Sequence, residues 1–358
     1  VLSKFVVRRL SGVSVGVGLL YGINTLGAVA GVVLITFYLM EALGLRVSTY
    51  TVAAINFTVA ALAGIVNSRL PDAEPAPANS PHDPPDETDS NTDGQALPGH
   101  LLAIVIIGFA LSGFAALGYE IAWLRLLIVT FSVNTHYEFS IILIAFLLGI
   151  SLGSFACSRY LRKSRDLLAL FGFMEVLIGI LGICSVFLFL GLSDWIGFIQ
   201  QSEIWWRYRF GIFAVSFVIM IVPTMLMGAL FPIVSRINTR RMGMLGRGVG
   251  DVYAVNSLGA IGGSLATGFL IIPVFGTEGA FRTLGLVNLA IGLMVLLLHR
   301  GIKPQGRKMA IVGGPLAISI LVVGLAPGNV LRNIAEPRKE NYQLAFYSEG
   351  REGVVTVL

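Results

Sequence analysis

The residues of this sequence best placed to do chemistry are ionisable groups inside apolar runs. Glu175 lies in FMEVLIGI, and Glu120 and Arg125 share GYEIAWLRLL. A charge in hydrocarbon costs several kcal/mol unless it is paired or hydrated, so such residues are functional candidates by default. Glu175 is the deepest of them, and its carboxyl suits a cationic substrate or a proton. Glu120 and Arg125 can either lock two helices as an intramembrane pair or hold a substrate. His136, Glu138, Asp251 and Arg282 fall near the ends of apolar runs, where their side chains reach headgroups or water. Cys157 and Cys184 stand singly in apolar runs, which gives neither a disulfide nor a metal site. There is no His/Cys cluster, no Ser-His-Asp arrangement and no basic, aromatic-interleaved patch for nucleic acid. No cofactor and no metal is expected.

The elements that position these groups are membrane spans. Of 358 residues, 55% are hydrophobic and only 13% charged, against about 25% charged in soluble domains. A span needs about 20 apolar residues. Apolar runs of that length fall near 17–43 and 47–68, then near 101–130, 137–160, 167–192, 210–235, 249–274 and 280–299, and a further one near 309–326 is interrupted by Gly313, Gly314 and Pro315. Between them, Pro71–Pro98 is rich in proline and carries Asp72, Glu74, Asp83, Asp86, Glu87, Asp89 and Asp93 with almost nothing apolar. Such a segment cannot bury enough surface to offset its ordering entropy, which predicts a disordered linker. The polar, alternating Asn341–Leu358 predicts a β-hairpin around Ser348-Glu349-Gly350-Arg351.

The chain also repeats itself. A single offset without gaps places Gly18 on Gly250, Tyr21 on Tyr253, Asn24 on Asn256, Gly27 on Gly259, Gly31 on Gly263, Gly44 on Gly276 and Asn56 on Asn288. Gly27-x-x-x-Gly31, Gly259-x-x-x-Gly263 and Gly149-x-x-x-Gly153 are spacings that let helix backbones approach closely, and Asn24 and Asn256 suit hydrogen bonds between helices. These glycines lie inside spans and not between a strand and a helix, so a phosphate-binding loop fails its context test. The repeat predicts an all-α polytopic membrane protein of about nine helices, in copies of about six with parallel orientation, as in the halves of major-facilitator transporters. Its parts are the last two helices of an incomplete first copy (1–68), a linker (69–99), a complete second copy (100–300), an extra helix (301–330) and the start of a soluble domain (331–358). The earlier spans of the first copy, about four of them, are expected upstream of Val1; the alternative is a short protein whose ancestor lost them.

Basic residues set the orientation. Lys4, Arg8 and Arg9, the group from Arg159 to Arg165, the group from Arg236 to Arg247, and the group from Arg300 to Lys308 fall on one side, which is then cytoplasmic. That puts the N-terminal residues inside and the hairpin outside. Arg207 and Arg209 fall on the outer side, against the trend, beside Trp205, Trp206 and Tyr208.

GYEIAWLRLL, AFLLGISLGSFACSRYL, MLMGALFPIVSR, VYAVNSLGAIGGSLATGFLIIP and VNLAIGLMVLL together resemble the membrane region of the fused major-facilitator/spermidine-synthase-like proteins of bacteria. In that family repeated helices precede a soluble domain with the aminopropyltransferase fold, entered by a hairpin of the type that LAFYSEGREGVVTVL matches. The resemblance implies a multi-pass protein of the bacterial inner membrane with a soluble, synthase-like domain, which the charge-based orientation above puts outside. The nucleoside loop and acidic residues of the family's transferase site are absent from these residues, so no catalytic residue carries over. Three functions follow. The first is a non-catalytic membrane scaffold or subunit, partnered by the lipid bilayer and by other membrane or periplasmic proteins, with no nucleic acid. The second is a transporter of a polyamine or other cationic solute through Glu120 and Glu175. The third is a membrane-anchored aminopropyltransferase whose catalytic part lies beyond Leu358.

Overall fold

The computed structural model describes residues 13–69, 98–131, 136–160, 166–191, 193–239 and 245–299, short pieces between 313 and 324, and 346–349 and 354–357. The acidic proline-rich linker, most of the extra helix at 301–330 and the turn of the expected hairpin lie outside the described residues. Two compact units are distinguished, one of residues 1–32 and 98–358 and the other of residues 33–97.

The helices are α1 (Val13–Leu34), α2 (Met40–Arg69), α3 (Gly99–Phe131), α4 (His136–Tyr160), α5 (Leu167–Gly191), the short α6 (Ser193–Gln200), α7 (Trp205–Asn238), α8 (Leu245–Ala266) and α9 (Ile272–Leu298). A π-helical turn, Ile35–Leu39, joins α1 to α2, and another, Thr267–Ile271, joins α8 to α9. Two four-residue strands, β1 (Phe346–Glu349) and β2 (Val354–Val357), pair antiparallel with Phe346 opposite Val357.

Among the described residues, six continuous helical stretches are long and apolar enough to cross a membrane, and by that measure the chain is a multi-pass membrane protein. Two of the six, Val15–Ile65 with 51 residues and Leu245–Leu298 with 54, are too long for one crossing. At 1.5 Å per residue each would extend about 75–80 Å, more than twice the ~30 Å of hydrocarbon. Each is broken at one glycine: Gly44 has φ 70°, ψ 171° and Gly276 has φ 72°, ψ 173°. The sequence suggested short loops after residues 43 and 274. A single residue does the work instead, because positive φ with extended ψ is open to glycine at no steric cost.

In the larger unit the turn at Gly276 is a true reversal. A Cβ on Gly113 would meet Asn256, and one on Gly118 would meet Thr267, so α8 runs parallel to α3. By the same measure Gly108 faces Ile291 and Gly118 faces Leu284, so α9 runs antiparallel to α3. α1 joins this unit through α4, where Ser154 Oγ donates to Gly18 O at 2.8 Å and Ser151 Oγ donates to Gly22 O at 2.9 Å.

Three seams hold the larger unit. Along α3 and α8, a methyl added at Gly259 or Gly263 would strike the backbone carbonyls of Ala110 and Phe114. Along α4 and α7, Gly153 lies against Met225 O, and Gly228 against Ile150 O. Along α5 and α9, methyls at Gly179 and Gly292 would fall 2.7 Å from Gly285 O and 2.5 Å from Gly172 O. Lipid tails are as apolar as leucine, so helices in a bilayer associate through close packing, and small residues permit it. The last seam is flanked by Val176, Ile183, Leu289 and Leu296, all buried together.

Candidate functional site

Glu175 occupies the glycine face of α5. Gly172, Glu175, Gly179 and Gly182 follow one another at helical spacing, and α9 presents Leu296, Gly292, Asn288 and Gly285 to that face in reverse order. The close backbones bring the two polar side chains together. Asn288 Nδ2 donates to Glu175 Oε2 at 3.0 Å, with Glu175 fully buried (0% exposed) and Asn288 1% exposed. The Ser112 hydroxyl of α3 lies beside the same carboxyl.

Above this pair is an aromatic group. Tyr119 and Trp123 of α3 stack at 5.3 Å between ring centroids, and Phe281 of α9 lies 6.0 Å from both. Trp123 Nε1 donates to Ser185 Oγ at 3.0 Å, and Ser185 in turn donates to Gly182 O at 2.6 Å. The Tyr119 hydroxyl rests against Gly182, where any larger residue would collide with it. Four buried oxygens of this region have no hydrogen-bond partner among the described residues: Glu175 Oε1, Asn288 Oδ1, Tyr119 Oη and Thr267 Oγ1. Buried polar atoms left unpaired are uncommon in folded proteins, and each calls for an explanation.

The other expected site residues are placed differently. Glu120 and Arg125 are both half-buried on α3, and Glu120 makes no ion pair among the described residues. Five positions on a helix of 3.6 residues per turn set them about 140° apart. Asn256 lies against Gly113, the Gly113 Cβ position being 2.6 Å from Asn256 Oδ1. Its counterpart Asn24 is exposed, and Gly27 and Gly31 have open space where Gly259 and Gly263 meet α3. The tyrosines of the two copies do come together: Tyr21 lies 4.7 Å from the Phe231 ring and Tyr253 lies 6.1 Å from it.

A second polar group caps the other end of α3, α4 and α7. Sequence reasoning set Glu138 at a wet helix end, but the residue is buried, with Oε1 3.8 Å from an Arg209 nitrogen. The Arg209 guanidinium lies over the rings of Trp205 at 4.1 Å and Tyr137 at 4.6 Å. Gln200 Nε2 donates to Thr130 O at 2.7 Å and Tyr208 Oη to Phe131 O at 3.4 Å, satisfying carbonyls at the end of α3 that have no intrahelical donor. At the opposite end, Asp166 Oδ1 accepts from Ala169 N at 3.0 Å and caps α5, while Asp166 Oδ2 lies 2.7 Å from His299 Nε2 at the end of α9.

Asn288 is the functional candidate that sequence reasoning missed. It entered only as the repeat partner of Asn56. The available signal was the glycine spacing of α5 and α9, which puts Glu175 in the centre of a backbone-to-backbone seam.

No protein-family model matches the chain, and comparison with curated proteins and with solved structures finds no match either. No group of three or more His, Cys, Asp or Glu residues suited to a metal ion is found among the described residues. The site consists of a buried acid beside an amide, between helices that touch through glycine.

Proposed function

We propose that this chain is an integral membrane scaffold, non-catalytic over these residues, of the kind formed by the membrane region of spermidine-synthase-like proteins. The observation that carries this reading is the set of three glycine seams, in which α3 meets α8, α4 meets α7 and α5 meets α9 at backbone contact. Such seams make a rigid framework suited to presenting helices and an outer domain to partners. The repeat supports the major-facilitator-like arrangement, because the π-helical turns and the left-handed glycines recur at equivalent positions of the two copies. The paired strands at Phe346–Glu349 and Val354–Val357 suit the entry of a synthase-like domain. The orientation follows the basic residues, with the N-terminal residues cytoplasmic and the strands outside, and the bacterial inner membrane is what the resemblance implies. A photo-crosslinking residue at exposed Leu258 or Leu265 of α8 tests the scaffold reading in intact membranes. A discrete adduct with another membrane or periplasmic protein is expected, and a chain that crosslinks only to lipid or to itself counts against it.

A second reading, transport of a cationic solute such as a polyamine, is favoured by one observation, the carboxyl of Glu175 inside the bundle. It predicts uptake into proteoliposomes that is lost in a Glu120→Gln/Glu175→Gln variant. Equal uptake by the variant sinks it.

A further inference from the structure

We propose that Glu175 is a proton-binding site of the bundle, its carboxyl group carrying one proton that closes a two-point acid–amide pair with Asn288 across the α5–α9 seam.

The pairing of the two side chains is half satisfied as it stands. Asn288 Nδ2 donates to Glu175 Oε2 at 3.0 Å, while Glu175 Oε1 and Asn288 Oδ1, both buried, have no donor among the described residues. Both are acceptors when the acid is ionised. In the proposed two-point pair a proton on Oε1 turns one orphan acceptor into a donor for the other, so a single proton removes both vacancies. Turning the amide over does not remove the need for it. The oxygen of Asn288 would then face Glu175 Oε2 at the same separation, and two acceptors in contact require a proton between them. The Ser112 hydroxyl beside the carboxyl has one proton to give and can serve one orphan, not both.

A water donating to both oxygens would satisfy them equally, but it would leave a net charge in the interior. The groups facing Glu175 offer nothing to balance that charge. α3 presents Ser112 and Tyr119, and α9 presents Asn288. The charged residues of α3 and α9, namely Glu120, Arg125, Glu278 and Arg282, are not among its partners. α7, also packed on α5, carries its arginines near its two ends, at Arg207, Arg209 and Arg236. An isolated carboxylate away from water costs far more than a neutral acid with its hydrogen bonds made. The seam thus favours the acid form through neutrality, against the Ser112 and Asn288 donors, which also suit a carboxylate, and loss of the proton would put a charge where α5 and α9 touch.

Infrared spectroscopy of the whole chain in lipid nanodiscs, with 13C-carboxyl-labelled glutamate, tests this directly. At neutral pH the wild-type protein is expected to show a side-chain carboxylic-acid C=O band that shifts in D2O. The band is expected to be lost in Glu175→Gln and displaced in Asn288→Leu. Glutamine can make both arms of the pair without a proton, so Glu175→Gln should melt within error of wild type. Should that variant fail to fold, a Glu120→Gln/Glu138→Gln/Glu278→Gln variant that retains the band removes the other glutamates that are buried or half-buried among the described residues and leaves Glu175 as its source. Absence of the acid band from the wild type, or its survival in folded Glu175→Gln, overturns the proposal. So does a band that appears only when Na+ is withdrawn, since a metal cation would then hold the carboxylate.

Discussion

Gly44 and Gly276 adopt one backbone conformation, φ 70° with ψ 171° and φ 72° with ψ 173°, at equivalent positions of the two copies. Each follows a five-residue π-helical turn, Ile35–Leu39 in one copy and Thr267–Ile271 in the other. A π turn inserted in an α-helix shifts the faces of everything after it, and the glycine then breaks the helix. An L-residue at Gly276 has its Cβ against the carbonyl. Gly276→Ala is therefore expected to lower stability by about 1–2 kcal/mol, read as an earlier thermal transition in detergent. The same change at Gly250, which is helical and has open space where a Cβ would stand, should not report this backbone strain.

The seams make a sharper contrast between copies. Gly259→Ala drives a methyl into Ala110 O, and overpacking of this kind costs about 1–3 kcal/mol. Gly27→Ala meets nothing within 4 Å and gains helix propensity of up to about 1 kcal/mol. Thermal melts of the two variants are expected to move in opposite directions. Equal shifts would contradict the packing described for α3 and α8.

The pair between Arg209 and Glu138 should couple measurably although its atoms are 3.8 Å apart. The side chains are 15% and 3% exposed, so removing the arginine leaves a carboxyl with little access to water. Arg209→Ala is expected to destabilise by about 2–4 kcal/mol, at or below the range for broken buried pairs. Arg209→Lys should recover only part, because an ammonium does not stack between two rings as a guanidinium does. A double-mutant cycle with Glu138→Ala measures the coupling, and a coupling of zero would assign the arginine's contribution to its rings alone.

Asp166 performs two tasks that substitution can separate. Asp166→Asn keeps an oxygen for Ala169 N and weakens the contact to His299, whereas Asp166→Ala removes both. The cap is worth about 1 kcal/mol. Hydrogen exchange at the first turn of α5 should rise in Asp166→Ala and stay near wild type in Asp166→Asn.

Much of the architecture is legible in the sequence because apolar length is a one-dimensional property. The spans around Phe109, Ile144, Ile178 and Ile219 follow from hydropathy, and the repeat follows from the shared spacing of Tyr21, Asn24 and Gly27 with Tyr253, Asn256 and Gly259. Glu175 is legible too, since a lone acid in an apolar run must be accounted for. Its partner is not. An asparagine in a span has many possible neighbours, and only the antiparallel course of α9 against α5 puts Asn288 opposite Glu175. The same limit applies to Asn24, Gly27 and Gly31. Their spacing matches that of the second copy, yet a shared spacing says nothing of whether a neighbouring helix is present to use it.

Arg209 shows how topology rules can be misled by charge counting. Its guanidinium is enclosed by Trp205 and Tyr137 and directed at Glu138, so its charge is neutralised within the folded helix ends. An arginine sequestered in this way contributes little to the field that a loop offers to anionic lipid. The apparent exception to the charge pattern is thus a built part of the bundle, and a count of basic residues that includes it weighs a charge the fold has already spent.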